Sequence, residues 1–367
     1  MATVRAITSV LAKLAPEELA YDWDNVGLLL GDYSREVKRV LLALEITEEV
    51  VTEALEKSCE LIITHHPLIF QPLKKINTQH QLGKILQQAL VAGLNIYTAH
   101  TNLDLAAPGL NDYLAELLGL DKCQPLQIMT EDQNYKLVVF IPREYYHQVK
   151  DAIWEAGAGF IGNYSHTSFR SKGTGTFKPL AASDPFLGKR DELTEVEEIR
   201  FETIVTERSL QVVIKAMLAA HPYEEVAYDL YPLANQGKQY GLGRIGRLKE
   251  KLRLDDYLPL IKAKLALPSV KYVGSGDRII ERVAVCSGSG ADLIRAASDA
   301  GADLYITGDI KYHDAQLAEQ IELGLVEAGH YETEIIVRDF LNNYLTGKLS
   351  DVALFRSTIN TNPWSVF

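Results

Sequence analysis

The sequence has no run of about 18 apolar residues, so no membrane-spanning helix is expected. Its first segment, MATVRAITSVLAKLAPEELAYDW, has helical periodicity broken at Pro-Glu-Glu and lacks the apolar stretch and cleavage site of a secretory signal. Cysteine is scarce. Only Cys59, Cys123 and Cys286 occur in 367 residues, far apart and with no CxxC spacing. This argues against a disulfide framework or a thiolate metal site; buried free thiols in a reducing compartment are the expectation. Positive charge is also short, with 37 Lys and Arg against 49 Asp and Glu and a net charge of -12. A surface this acidic repels phosphate backbones and anionic lipid, so nucleic acid and membranes are poor partners, whereas a small-molecule substrate is not excluded. What remains is ordinary globular composition, 47% hydrophobic and 23% charged, in a chain long enough for two or three domains. It reads as a soluble cytoplasmic protein.

An internal repeat organises the chain. Val37 to His66 (VKRVLLALEITEEVVTEALEKSCELIITHH) aligns without a gap on Ile280 to Asp309 (IERVAVCSGSGADLIRAASDAGADLYITGD). Each copy reads as a buried strand, a loop, a helix with apolar residues three and four apart, and a second strand ending at Thr. That is a βαβ unit, which implies parallel strands under covering helices. Both copies continue through a helix, near 79–92 and 313–323, to a second shared spacing: His100 with Asp104 in AHTNLD, and His330 with Glu334 in GHYETE. The fold class is therefore α/β, two related halves at 1–125 and 239–367.

The segment 126–238 has another rhythm. Tyr135 to Ile141 alternates as a strand, Arg143 to Gly157 is helical, and Asn163 to Phe169 is extended before a Gly/Pro-rich stretch. Glu198 to Val205 is a strand, Leu210 to Ala220 a helix, and Val226 to Tyr231 a last strand. Strand-helix-strand twice over is the ferredoxin-like pattern, here inserted between the halves as an α+β domain. The glycines from Gly237 to Gly246 read as a linker back to the main body; Gly-Lys-Ser/Thr is absent, so a phosphate loop is disfavoured.

The strand ends carry the chemistry. His65 and His66 follow Ile62-Ile63-Thr64, at the carboxyl end of a parallel strand where open α/β sheets place ligands. Adjacent strand residues point oppositely, so both imidazoles reach one site only if the chain turns, and Pro67 ends the ladder there. Asp104 adds a carboxylate after the next strand, although it would serve equally as a helix N-cap. If a helix starts at His330, that imidazole and Glu334 share a face at i and i+4. Three histidines and two carboxylates exceed the four ligands of one zinc and fit two ions about 3.5–4 Å apart. On this reading His65 and His330 hold one ion, His66 and Asp104 the other, and Glu334 binds or bridges. Zinc, manganese and iron all suit such a set, and hydrolysis is its natural chemistry. His100, His313 and Asp309 are candidates for contacting substrate or moving protons. Gly308 and Asp309 replace the histidine pair in the second copy, so the site should be open on that side. Asp24 and Asn25, in the polar knot DWDNVG, either line the site or make an Asx-turn, with the turn as their main role, and His221 to Glu225 read as a structural turn.

ITHHP, HTNLD, TGDIKYHDA and GHYETE, with DWDNVGLLLG near the start, resemble the Nif-three-like family, known in bacteria as GTP cyclohydrolase 1 type 2 homologues. The resemblance spans essentially the whole chain, and AHPYEEVAYDLYPL in the insert is similar to the PII/CutA-like domain of the longer bacterial members. It implies a dinuclear metal site of His65, His66, Asp104, His330 and Glu334, and a ring-shaped homohexamer. It also implies hydrolysis of a nucleotide-like small molecule. The alternative is a non-catalytic metal-binding regulator whose insert senses a ligand.

Overall fold

The computed structural model describes residues 2–365. Two compact units emerge: one combines the residues up to Met129 with those from Tyr240 onward, and the other is Thr130–Gln239.

The first unit contains two principal sheets. The five-stranded sheet runs in the order Ala353–Arg356, Arg39–Ala43, Leu61–Thr64, Asn95–Thr98, Gly27–Leu30, and only the last pairing is antiparallel. The six-stranded sheet has the order Lys271–Val273, Gly324–Glu327, Leu304–Gly308, Ile279–Ser289, Gln239–Arg253, Leu120–Glu131, and its middle three strands are parallel. The repeat is the centre of each. Val40 pairs with Leu61 in the first copy, and the aligned Val283 pairs with Leu304 in the second. One carboxylate fastens the entry to each copy in the same way: Glu60 accepts from the backbone N–H of Lys38 and Arg39, and Asp303 from those of Glu281 and Arg282. The halves also exchange edges. Ala353–Arg356 completes the first sheet, and Leu120–Glu131 borders the second.

Period-two alternation sorts the side chains. Val40, Leu42, Ile63 and Tyr97 enter one core together with Val283, Val285, Leu304, Ile306 and Val326 from the other sheet. Leu41, Ile62 and Ile96 face outward under the helices Glu48–Glu56 and Gln81–Ala92. Ala284, Cys286, Tyr305 and Leu325 do the same beneath Ile294–Asp299 and Tyr312–Gln320. Burial leaves Cys59 and Cys286 as free thiols and pushes them up to about 11 and about 12. No helix of the described residues is long and apolar enough to cross a membrane.

The second unit is one antiparallel sheet in the order Tyr228–Pro232, Asn134–Pro142, Thr194–Thr206, Ser168–Phe177. The helices Tyr146–Glu155 and Glu207–Ala220 complete a β-α-β-β-α-β chain order, and the unit has its own core around Val139, Phe201, Val149 and Val213. Two local expectations are corrected. The extended segment expected at 163–169 begins at Ser168 and runs through the glycines to Phe177, because Gly173 and Gly175 pair across to Glu198 and Val196. The glycines of 237–246 form no linker but lie mostly in the strand Gln239–Arg253. A Cβ on Gly241 would come 2.0 Å from the carbonyl oxygen of Gln127, and one on Gly246 2.7 Å from Cys123 Sγ, so close strand approach selects them. His221 is a turn residue as expected. Its Nε2 donates to the Phe140 carbonyl at 3.0 Å, its Nδ1 accepts from Tyr223 N–H, and burial lowers its pKa.

Candidate metal centre

The strand Leu61–Thr64 stops one residue before the histidines, and the Leu44 carbonyl then accepts from the N–H groups of both His65 and His66. This bend defeats the alternation that would send the two rings to opposite faces. His65 is fully buried and His66 half-buried. Short helices Thr101–Leu105 and His330–Glu334 bring Asp104 and Glu334 to the same place.

Glu334 is the hub. Its Oε2 lies 2.8 Å from His66 Nε2 and 3.0 Å from His330 Nε2, and its Oε1 lies 3.6 Å from His65 Nε2. His65 Nε2 is also 3.7 Å from Asp104 Oδ1. Two tight donor groups result, His65 with His66 and His100, and His66 with His330 and Glu334. Hence His66, not His65, adjoins His330, and Asp104 adjoins His65: the reverse of the pairing expected from sequence. Asp104 is no N-cap either. The following helix, Leu110–Leu117, is capped at Gly109 by the Asp112 side chain, while Ser287 Oγ donates to Asp104 at 3.4 Å.

The protons are placed by acceptors outside the cluster. His65 Nδ1 donates to the Ala99 carbonyl at 2.9 Å, so in the neutral ring Nε2 keeps its lone pair toward Asp104 and Glu334. His330 Nδ1 donates to Asp309 at 2.8 Å and His100 Nδ1 to Asp24 at 2.9 Å. Thus His65, His100 and His330 each turn Nε2 away from their anchoring acceptor. Asp24, weighed from sequence as lining the site but read mainly as a turn residue, holds the His100 ring beside the cluster. Its partner is 76 residues away.

Crowding acidic groups around imidazoles perturbs their acidity. Burial opposes charge on His65, but Asp104 and Glu334 outweigh it and raise the ring to about 9. His330 is raised to about 9 by its hydrogen bond with Glu334, against partial burial and with help from Asp309. Glu334 is fully buried, which favours the neutral acid, yet His330, His65 and His66 hold it well below the carboxylate range. For Asp24, too, burial is outweighed: hydrogen bonds from His100 and Thr101 lower it to about 2.

Glycines make room. A Cβ on Gly288 would lie 2.0 Å from Glu334 Oε1, and one on Gly308 would meet the backbone N of His330 at 2.5 Å. A cavity of about 620 Å³ opens where Gly308 and Asp309 stand in for the histidine pair, bordered by His66, Asp309, His330, Tyr331, Leu267 and Trp364. His313 lies elsewhere, exposed in the first turn of Tyr312–Gln320 and bonded to Gln316 at 3.0 Å. Among the described residues, no hydrogen bond or ring contact joins it to the cluster.

The donor set fits divalent ions. Three imidazoles and two carboxylates converge, and His65 Nε2 is buried with no hydrogen-bond partner. A polar atom in that state is costly unless a further group completes it.

Comparison with known proteins shows the family. The chain matches the Duf34/NIF3 (NGG1p interacting factor 3) family over residues 2–363. It is 42% identical to a Halalkalibacterium halodurans protein named GTP cyclohydrolase 1 type 2 homolog, covering 100% of this chain and 99% of that one. A Bacillus subtilis protein of the same name is 40% identical, with 98% and 97% covered. Among solved structures, a Bacillus cereus protein related to NIF3 superposes with a TM-score of 0.91 at 41% identity, covering 100% of this chain and 99% of that one. A Staphylococcus aureus protein superposes at 0.76 with 31% identity over 100% and 99%. With a family match over nearly every residue and relatives aligned end to end, this chain belongs to the DUF34/NIF3 family.

Proposed function

We propose that the chain is a hydrolase dependent on two divalent metal ions and acting on a nucleotide-like small molecule. One observation carries the reading: His65 Nε2, fully buried and without a hydrogen-bond partner, lies 3.6 and 3.7 Å from oxygens of two different carboxylates. His65 and Asp104 would hold one ion, His66 and His330 the other, and Glu334 would reach both. Zinc, manganese or iron would satisfy these donors. When bound, such a pair supplies Lewis acidity and lowers the pKa of water toward neutrality.

The chain's own residues supply the rest. Asp104 and Glu334 bring two negative charges against four positive ones, which favours an anionic group at the remaining positions. Ala99 and Asp309 hold His65 and His330 in the tautomer that presents Nε2. The 620 Å³ cavity is of a size that takes a nucleotide-like ligand, and Asp309 and His330 border it. His100 and Asp309 adjoin the cluster and remain candidates for contacts during the reaction; His313 lies outside this set.

The relatives' name, GTP cyclohydrolase 1 type 2 homolog, makes GTP the first substrate to try. Metal content and GTP turnover should be measured on the purified chain and on His66→Ala. Metal near two per chain in the variant removes the ligand assignment, and metal without nucleotide turnover removes the GTP claim. A ring of six copies belongs to the same reading and is tested by mass in solution.

A second reading keeps the metal but replaces catalysis with regulation. The separate core and 4-1-3-2 strand order of the inserted unit favour it, because a PII/CutA-like module of that build could sense a ligand by itself. Deleting residues 126–236 separates the two: an enzyme keeps metal and turnover, whereas a sensor loses its response.

A further inference from the structure

His100 occupies the place in the first copy that His330 occupies in the second, yet the five-ligand set assigns it no ion. Its surroundings are built. Asp24, whose side chain is fully buried, accepts from His100 Nδ1 at 2.9 Å, from Thr101 N–H at 3.1 Å, from Thr101 Oγ1 at 2.5 Å and from Asn25 N–H at 2.8 Å. With donors on both oxygens the carboxylate cannot swing, and the ring it anchors is fixed in one tautomer with Nε2 free. Trp23 stands edge-on to that ring, centroids 6.3 Å apart. On its other sides lie the rings of His65 and His66, at 5.1 and 5.6 Å between centroids.

The consequence is a triad of imidazoles whose ligand atoms all lie within 4.8 Å of one another. Nitrogens on one tetrahedral ion at Zn–N distances of about 2.0–2.1 Å sit about 3.3 Å apart, a separation that small ring movements would reach. We propose that His100 is a sixth ligand of the site, binding through Nε2 the ion on the His65 side, and that Asp24 is the residue that positions it. The proposal rests on the metal-binding reading above and makes the two ions unequal: one is held chiefly by first-copy residues, the other by residues of both copies.

The test uses the full chain, stripped of metal and titrated with Zn²⁺ and with Co²⁺, whose visible spectrum reports donor number and type. His100→Gln should lose the tighter fit on the His65 side, weakening one ion at least 100-fold while the other keeps its affinity. Asp24→Asn, nearly the same shape, should retain both ions but weaken the same one by about 10- to 100-fold and alter the Co²⁺ spectrum. Both ions bound by His100→Gln with unchanged affinity and an unchanged Co²⁺ spectrum would overturn the proposal. If His100→Gln does not fold, the Co²⁺ spectrum of Asp24→Asn decides it, an unaltered spectrum counting against. His66→Ala is the control: if it loses metal while His100→Gln does not, only the sixth ligand is wrong. If neither loses metal, the reading beneath it fails as well.

Discussion

The two βαβ copies share one strand register and diverge at the tips that carry the site. Val40–Leu61 and Val283–Leu304 keep the same register, and Glu60 and Asp303 clamp the same two N–H groups in their copies. At the end of the second strand, however, the first copy carries His65, wholly buried, where the second carries Gly308 and then an exposed Asp309 with φ of 58°. The helix-start imidazoles diverge likewise. His100 is anchored to the buried Asp24, and His330 to the half-exposed Asp309. The carboxylates differ by one methylene, and the longer Glu334 reaches across to His65 and His66 as well as its own His330. On a shared scaffold, the residues at the tips make one copy the closed floor of the site and the other its open wall.

The largest effect should come from breaking the link between copies. Glu334→Gln removes the one charge shared by three imidazoles, and metal measured after dialysis should fall close to zero, a loss of affinity of at least 100-fold. Asp104→Asn should cost only the ion beside His65. Equal losses in the two variants would show that the copies contribute alike, contrary to the geometry. Next comes Gly308→Ala, which gives the second copy a side chain where the first has one. Its Cβ would meet the backbone N of His330 at 2.5 Å and the carbonyl oxygen of Gly288 at 2.7 Å. Backbone cannot yield cheaply, so a loss of about 2–3 kcal/mol is expected, read as a melting point several degrees lower. An unchanged melting point would mean the second copy had no need of glycine.

Much of this comparison was legible in the sequence because it is local. Apolar spacing marks both βαβ units, Pro67 marks the strand end, and the i, i+4 placement of His330 and Glu334 survives as a 3.0 Å contact. What escaped depends on distant partners. Asp24 looks like a turn residue until His100 arrives beside it, and nothing local tells that His66 rather than His65 neighbours His330. The exchange of edge strands is equally hidden, since Ala353–Arg356 pairs with Arg39–Ala43 from the far end of the chain. Past the insert, too, Gly241 serves a close approach to Gln127 that composition alone presents as a linker.

A smaller effect follows from the raised imidazoles. In the metal-free protein His65 and His330 titrate at about 9, above the ordinary 6.5. A raised folded pKa contributes stability that is fully present below about 6.5 and is lost as pH climbs through about 9. The metal-free chain should therefore melt a few degrees lower at pH 9.5 than at pH 6.5. Saturating zinc should reverse the trend, since binding displaces those protons and strengthens up to about pH 9. His221 in the inserted unit has the opposite sign: its pKa is lowered by burial, so its contribution is fully present above about 6.5 and is lost as pH falls below that value. A metal-free melting point that rose toward pH 9.5 would contradict the placement of shared protons in the site.

The smallest effect belongs to His313. It shares a motif with Asp309, yet it bonds Gln316 and packs edge-on to Tyr312 at the surface. His313→Ala should leave metal content unchanged and alter stability by no more than about 0.5 kcal/mol, the usual range for an exposed position. Asp309→Asn, a few residues away, should instead weaken the ion beside His330, because it loosens the acceptor that fixes that ring. If His313→Ala lost metal and Asp309→Asn did not, the open wall of the site would have to be rebuilt around the helix Tyr312–Gln320 instead of the strand end at Gly308.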